Sequence, residues 1–256
     1  MDVNESEPQG LAYAPPQPGR RTTTLGWMLD SIRRRRSGRI LLSSLTGILF
    51  LTGAGMFAYP FFTDIYTNEF LQRSLEDEFE SITVDSFEEW KAQVSNQQGA
   101  ALTKIAIPAI GLETLVVEGT SPDALRAGAG HYPNTPLPGQ DGNVAIAGHR
   151  TTYGRPFNQM DRLRPGDTIW LATPIGDYRY EVVAYPSNWV DDDGQAGYPY
   201  ITRPTNWDVI GATPAPSLTL TSCHPKGSAR QRIIVRAQLM ERLEPGSYEA
   251  QKTTSA

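Results

Sequence analysis

Residues 40–62 carry no charged side chain, and Arg33, Arg34, Arg35, Arg36 and Arg39 stand immediately before them. At ~1.5 Å per residue a helix of this length crosses ~30 Å of hydrocarbon, so the run divides the chain into parts on the two sides of a membrane. It exceeds a typical signal-peptide apolar core and no small-residue cleavage site follows it, which favours a retained anchor over a cleaved leader. With the arginines on one side and Asp64, Glu69 and a mostly acidic segment on the other, the positive-inside rule predicts a single-pass plasma-membrane protein. The same rule predicts an N-terminus in the cytoplasm and everything after Thr63 outside. Residues 1–39 read as a disordered cytoplasmic tail, polar and proline-bearing without an apolar period. Residues 63–100 read as an extracellular helical stalk, with Phe70, Leu71, Leu75 and Phe79 at helical spacing and Ser86 with Glu89 as a cap. The stalk carboxylates have neither the ligand spacing nor the glycine-centred turn of a calcium loop, so they read as a solvated face.

From residue 101 the texture changes to short β-type runs broken by Gly and Pro, which predicts an all-β barrel or sandwich over residues 101–240. Strands are expected over 102–107, 114–118, 143–148, 168–173, 178–185, 217–222 and 231–239, with one helix over 155–163 opened by Pro156. Residues 186–216, with an Asp191-Asp192-Asp193-Gly194 turn and several prolines, are too long for a simple connection. Residues 241–256 read as a disordered C-terminal tail. Lys plus Arg total 23 against Asp plus Glu at 28, so no basic footprint for nucleic acid is present.

The single cysteine, Cys223, ends a strand in which Leu218, Leu220 and Ser222 alternate with Ser217, Thr219 and Thr221. Period two sends Cys223 away from the leucine face. After a turn rich in Pro, Lys, Gly and Ser, the next strand sends Ile233, Val235, Ala237 and Leu239 one way and Arg232, Ile234, Arg236 and Gln238 the other. The run 143–148 has Val144 and Ile146 core-facing, and Ala145, Ala147 and His149 on the opposite face. A lone thiol outside the membrane cannot form an intramolecular disulfide. Its position at a strand end on the more polar face favours a reactive over an inert cysteine. His224, next to Cys223, points to the opposite face and reads as structural. His131 lies in a turn-rich segment, where it lines a groove or satisfies a backbone carbonyl. One cysteine and three scattered histidines make no spaced ligand set, so neither a metal nor a cofactor is expected.

The string Thr219-Leu220-Thr221-Ser222-Cys223-His224-Pro225, its continuation Ser228-Ala229-Arg230-Gln231-Arg232, and Ala147-Gly148-His149-Arg150-Thr151-Thr152-Tyr153-Gly154 occur in an order that resembles the sortases. These are membrane-anchored cysteine transpeptidases, and the likeness is to the class E branch found in actinobacteria. It covers about residues 104–239 and implies an eight-stranded β-barrel with short helices behind one N-terminal transmembrane helix. It also implies Cys223 as nucleophile, His149 as proton donor to the leaving amine and Arg232 as oxyanion or substrate-backbone ligand. Ala147, Thr221, His131 and Tyr132 then fall to the substrate groove. The implied reaction cleaves an LAxTG- or LPxTG-type sorting signal between Thr and Gly and passes the thioacyl group to a peptidoglycan amine of lipid II type. The implied partners are surface proteins with C-terminal sorting signals, that amine, and membrane lipid along residues 40–62. Residues 204–207 do not match the pattern, which leaves substrate contacts open. An ordinary thiol near pKa 8.5 is only ~3% ionised at pH 7, so either a cation raises that fraction or the enzyme works through a minor form. Two other readings compete: a hydrolytic cysteine peptidase, which would orient His149 with an Asn or Asp, and a non-enzymatic surface adhesion module.

Overall fold

The computed structural model describes residues 36–95, 97–185 and 198–255. The arginines at 33–35, most of the N-terminal tail and the Asp191-Asp192-Asp193-Gly194 turn lie outside the described residues. The chain forms two compact units, one reaching Gly55 and the other Met56–Ala256.

Helix α1 (Arg36–Tyr66) contains the uncharged run. Its apolar side chains are bare, Leu41 being 70% and Phe50 73% exposed, and the helix is long and apolar enough to cross a membrane. The hydroxyls of Ser43, Thr46 and Thr52 donate to carbonyls three or four residues back, so these polar atoms are satisfied without water.

In the second unit, a π-helical turn (Thr67–Leu71) leads from α1 into α2 (Gln72–Ser81), and α3 (Phe87–Val94) follows. Ser86 caps α3 by accepting the Glu89 amide, and the Glu89 carboxylate accepts the Asp85 amide. These helices are not a free stalk. Leu75 packs with Ala101, Leu115 and Val117, and Trp90 is fully buried with Leu102 and Leu137. Gln72 accepts from the Leu115 amide and from the Thr114 hydroxyl, both at 2.8 Å. The sequence shows a polar helix because its apolar stripe is narrow, and the partners of that stripe lie far along the chain.

Among the described residues nine strands follow: β1 (Ala101–Ile107), β2 (Leu112–Glu118), β3 (Ala129–His131), β4 (Asn143–Ala147), β5 (Thr168–Thr173), β6 (Gly176–Val182), β7 (Tyr200–Thr202), β8 (Ser217–His224) and β9 (Gln231–Leu243). Their order is β6-β5-β1-β2-β3-β4-β8-β9, and β6 pairs with β9 to close an eight-stranded barrel. The short β7 pairs with the first half of β9. A helix, α4 (Pro122–Ala127), makes the crossover between the parallel strands β2 and β3, its Ser121 cap accepting the Ala124 amide. The barrel is filled by alternate residues of its strands, among them Ile105, Val144, Ile146, Leu218, Leu220, Ile233 and Val235, all fully buried. Strands β3 and β7, three residues each, are too short to show a period and were invisible in the sequence.

Two further segments depart from the sequence pattern. Residues 155–163 form turns and a single 3₁₀ turn (Met160–Arg162) in place of a helix. Arg155 at φ 48° cannot begin an α-helix, and Phe157, Met160 and Leu163 enter the core at a spacing of three. Residues 241–256 are not an unstructured tail: β9 continues to Leu243, and α5 (Ser247–Ser255) docks on the barrel. The Tyr248 ring lies 5.7 Å from that of Trp170, the Tyr248 amide donates to Asp177 at 2.8 Å, and Lys252 pairs with Glu113 at 2.7 Å. Asp177 caps the open amides of the helix from another strand, a partner that no local pattern reveals.

Candidate active site

Two strand pairings assemble the site. Strand β4 runs parallel to β8 with Ala147 opposite Thr221. Beyond that pair, the Gly148 amide donates to the Thr221 carbonyl (3.1 Å), and the Ser222 hydroxyl donates to the Gly148 carbonyl (2.7 Å). His149 is two residues past Ala147 and Cys223 two past Thr221, so alternation carries both to the face away from the leucine core. On the other flank β9 is antiparallel to β8 and puts Arg232 directly opposite Cys223. Gly148 is required because a Cβ there would meet the Phe157 ring at 2.6 Å. That ring is fully buried in the barrel core.

His149 is half-buried, its ring 5.0 Å from that of Tyr153, and its carbonyl accepts the Phe157 amide at 3.2 Å. Burial lowers its pKa below the ordinary 6.5, so the ring is neutral at physiological pH and suited to accept a proton. The Arg232 guanidinium donates to the carbonyls of Ala229 (3.1 Å) and Gln231 (3.0 Å), which hold it at the β8–β9 turn.

Arg150 was not singled out from sequence. Only 3% exposed, it donates to Asn158 O (2.9 Å) and pairs with Asp161 (2.8 Å), while its Nη1 has no partner among the described residues. Burial lowers its pKa, and the charges of Asp161 and Cys223 oppose that shift. The guanidinium is thus buried within electrostatic reach of Cys223.

A small cleft of about 80 Å³ adjoins Arg232, lined by Tyr132, Thr202, Trp207, Ile210 and Thr221 among others. The Tyr132 and Thr221 hydroxyls are bonded at 3.0 Å, and Ala147, which pairs with Thr221 on β4, is outside the cleft lining. Trp207, 64% exposed, comes from residues 204–207, the stretch that the sequence pattern left unmatched. A tryptophan within a long, proline-bearing connection was the available signal. Two larger cavities, about 480 and 720 Å³, contain none of Cys223, His149 or Arg232.

Of the two readings of His131 the structure shows the second: it does not line a groove but meets a backbone carbonyl. It is 1% exposed, with Nδ1 2.6 Å from Glu118 Oε2, and Nε2 within 2.9 Å of Thr135 Oγ1 and 3.0 Å of Pro136 O. With both nitrogens occupied inside the protein it braces β3. His224 ends β8 opposite Gln231, and burial together with the Arg150 charge lowers its pKa.

Fold and site together define a class: a closed β-barrel that presents a thiol and a guanidinium on paired strands, with an imidazole delivered from the parallel neighbour. The sortase domain matches residues 105–240, and the chain belongs to the sortase family, cysteine transpeptidases that anchor proteins to the cell wall. It is similar to Sortase D of Bacillus subtilis, 32% identical over 148 residues, covering 57% of this chain and 67% of that protein. Sortases SrtE1 and SrtE2 of Streptomyces coelicolor are 25% and 28% identical, each over 81% of this chain and over 60% and 86% of their own lengths. They support the class E resemblance. The chain therefore spans less than two thirds of SrtE1. Among solved structures, a Clostridium perfringens sortase D5 transpeptidase has a TM-score of 0.55 at 29% identity, covering 67% of this chain and 99% of that one.

Proposed function

We propose that this protein cleaves a C-terminal sorting signal of LAxTG or LPxTG type through a Cys223 thioacyl intermediate and transfers the acyl group to a cell-wall amine. The observation that carries the reading is the register: Arg232 directly opposite Cys223, and His149 two residues past a pair locked to the same strand. Neutral His149 takes the Cys223 proton as Sγ attacks the threonine carbonyl. Arg232, and at longer range Arg150, favour the negative charge that develops. The proton then passes from His149 to the glycine nitrogen, the C–N bond breaks and the peptide amine leaves. An incoming amine, of the lipid II type, attacks the thioester, gives its proton back through His149 and restores the thiol. Tyr132, Thr221 and Trp207 line the groove for the signal, and class E likeness favours alanine over proline at its second position.

The helix carrying residues 40–62 anchors the enzyme, with the arginine side in the cytoplasm and the barrel outside. In intact cells, added protease then digests the barrel and spares the N-terminal tail. Protection of the barrel overturns the orientation.

The function is tested on the full chain in detergent micelles with matched LAxTG and LPxTG peptides and amine acceptors. Intact-mass spectrometry is expected to show a Cys223 acyl adduct that resolves to the transfer product, faster for alanine. Hydrolysis with no transfer at any amine concentration would make it a peptidase. A folded barrel that never gains the adduct would leave an adhesion module.

A further inference from the structure

The loop that carries His149 returns through Tyr153, Gly154 and Arg155, three successive residues at φ 53°, 73° and 48°. Only the middle one is a glycine. Left-handed backbone is unfavourable for Tyr and Arg, and such a run persists only where its surroundings hold it. Its Arg155 amide donates back to the Thr152 carbonyl at 3.1 Å, while the Tyr153 and Gly154 amides are left to donate to groups outside the turn.

The anion present is Asp64, at the end of α1. Asp64 is 8% exposed; its Oδ1 accepts the Gly154 amide at 3.0 Å and its Oδ2 pairs with Arg155 Nε at 2.7 Å. Thr63 accepts the Tyr153 amide at 3.5 Å, and the Tyr59 and Tyr153 hydroxyls are 2.7 Å apart. Tyr153 in turn lies against the His149 ring, and a side chain on Gly154 would strike Asn68 at 2.8 Å. An acidic side chain directly after an apolar span, buried and with both oxygens occupied by one loop, is not a solvated stalk residue.

We propose that Asp64 is a positioning residue for the acyl-transfer reaction, holding the Tyr153-Gly154-Arg155 turn in its left-handed form so that Tyr153 fixes the orientation of the His149 ring. The proposal rests on His149 being the proton carrier, as argued above. Asp64 does not touch the reacting atoms. It acts through the turn, so its loss lowers the fraction of enzyme with the imidazole in place and leaves signal binding, which uses the β7–β9 side, nearly intact. The segment that emerges from the membrane thus completes the catalytic loop as well as tethering it.

The test uses the full chain in detergent micelles, as wild type, Asp64→Asn, Asp64→Ala and His149→Ala, with histidine ring carbons labelled. There are three histidines in the chain, so the ring resonances are separable. Asp64→Ala is expected to lower kcat about 10- to 100-fold, the size of a misplaced catalytic group, with KM within about twofold. The His149 resonance should move and broaden while that of buried His131 stays. Asp64→Asn retains an oxygen for the Gly154 amide and loses the Arg155 pairing, so it should fall between wild type and Asp64→Ala. Unchanged kcat and an unmoved His149 resonance in Asp64→Ala overturn the proposal. If Asp64→Ala disturbs His131 as well, the fold has been lost, and the Asn variant decides by the same two readouts. An active His149→Ala instead removes the underlying mechanism, an outcome distinct from failure at Asp64.

Discussion

Ser222→Ala removes one atom from the site while leaving Cys223, His149 and Arg232 intact. The Ser222 hydroxyl is buried, 3% exposed by residue, and its 2.7 Å bond to the Gly148 carbonyl is a side-chain tie between β8 and the strand end that leads into His149. Losing that donor leaves a buried carbonyl short of a partner, which costs about 1–3 kcal/mol. For a folded unit of this size that lowers Tm by about 3–10 °C. The next residue after the released carbonyl is His149, and displacement of a catalytic group by about 1 Å costs up to ~100-fold, so kcat should fall about tenfold with KM little changed. Ser217→Ala is the control: it removes a 2.8 Å bond to the Ala215 carbonyl at the far end of the same strand and should affect stability alone. Thermal denaturation and steady-state transfer kinetics on both variants decide. A Ser222→Ala enzyme with lowered Tm and wild-type kcat would show that the Gly148 carbonyl does not govern His149. Equal kcat losses in both variants would mean the effect is general loosening.

Arg232→Lys should lose about 100- to 1,000-fold in kcat, because an ammonium cannot hold two donors in one plane, whereas Arg230→Lys, exposed in the turn, should be nearly silent. Wild-type turnover by Arg232→Lys would reduce that residue to general electrostatics. The folded pKa values of His149 and His224 lie below 6.5, so the folded state binds fewer protons than the unfolded one; stability is full above pH 6.5 and is lost on acidification through the folded values. Melting from about pH 7 to 5 should show Tm falling with a slope that His149→Asn reduces, and an unchanged slope would refute the assignment. Tyr248→Ala, which strips the buried ring of α5 from Trp170, should cost about 2 kcal/mol of stability in denaturant titration without touching kcat, and no loss would mean the helix is undocked.

The sequence by itself determined the features that depend on local period and composition. The uncharged run 40–62 specifies a lipid-length helix. Alternation around Cys223, His149 and Arg232 specifies the face each occupies, because the pleat reverses at every residue whatever the strand pairs with. Tertiary structure decided what faces what. That β4 lies parallel to β8 makes neighbours of residues more than seventy positions apart, Ala147 and Thr221 among them, and no local pattern encodes such a pairing. The three-residue strands β3 and β7 exist through their partners alone. Chain closure buried His131 between Glu118 and Thr135, turned the polar C-terminal segment into a helix capped by Asp177, and brought Asp64 under the Tyr153 turn. In each case a polar side chain that reads as solvated along the chain acquires its meaning from a distant group that satisfies it once water has been excluded.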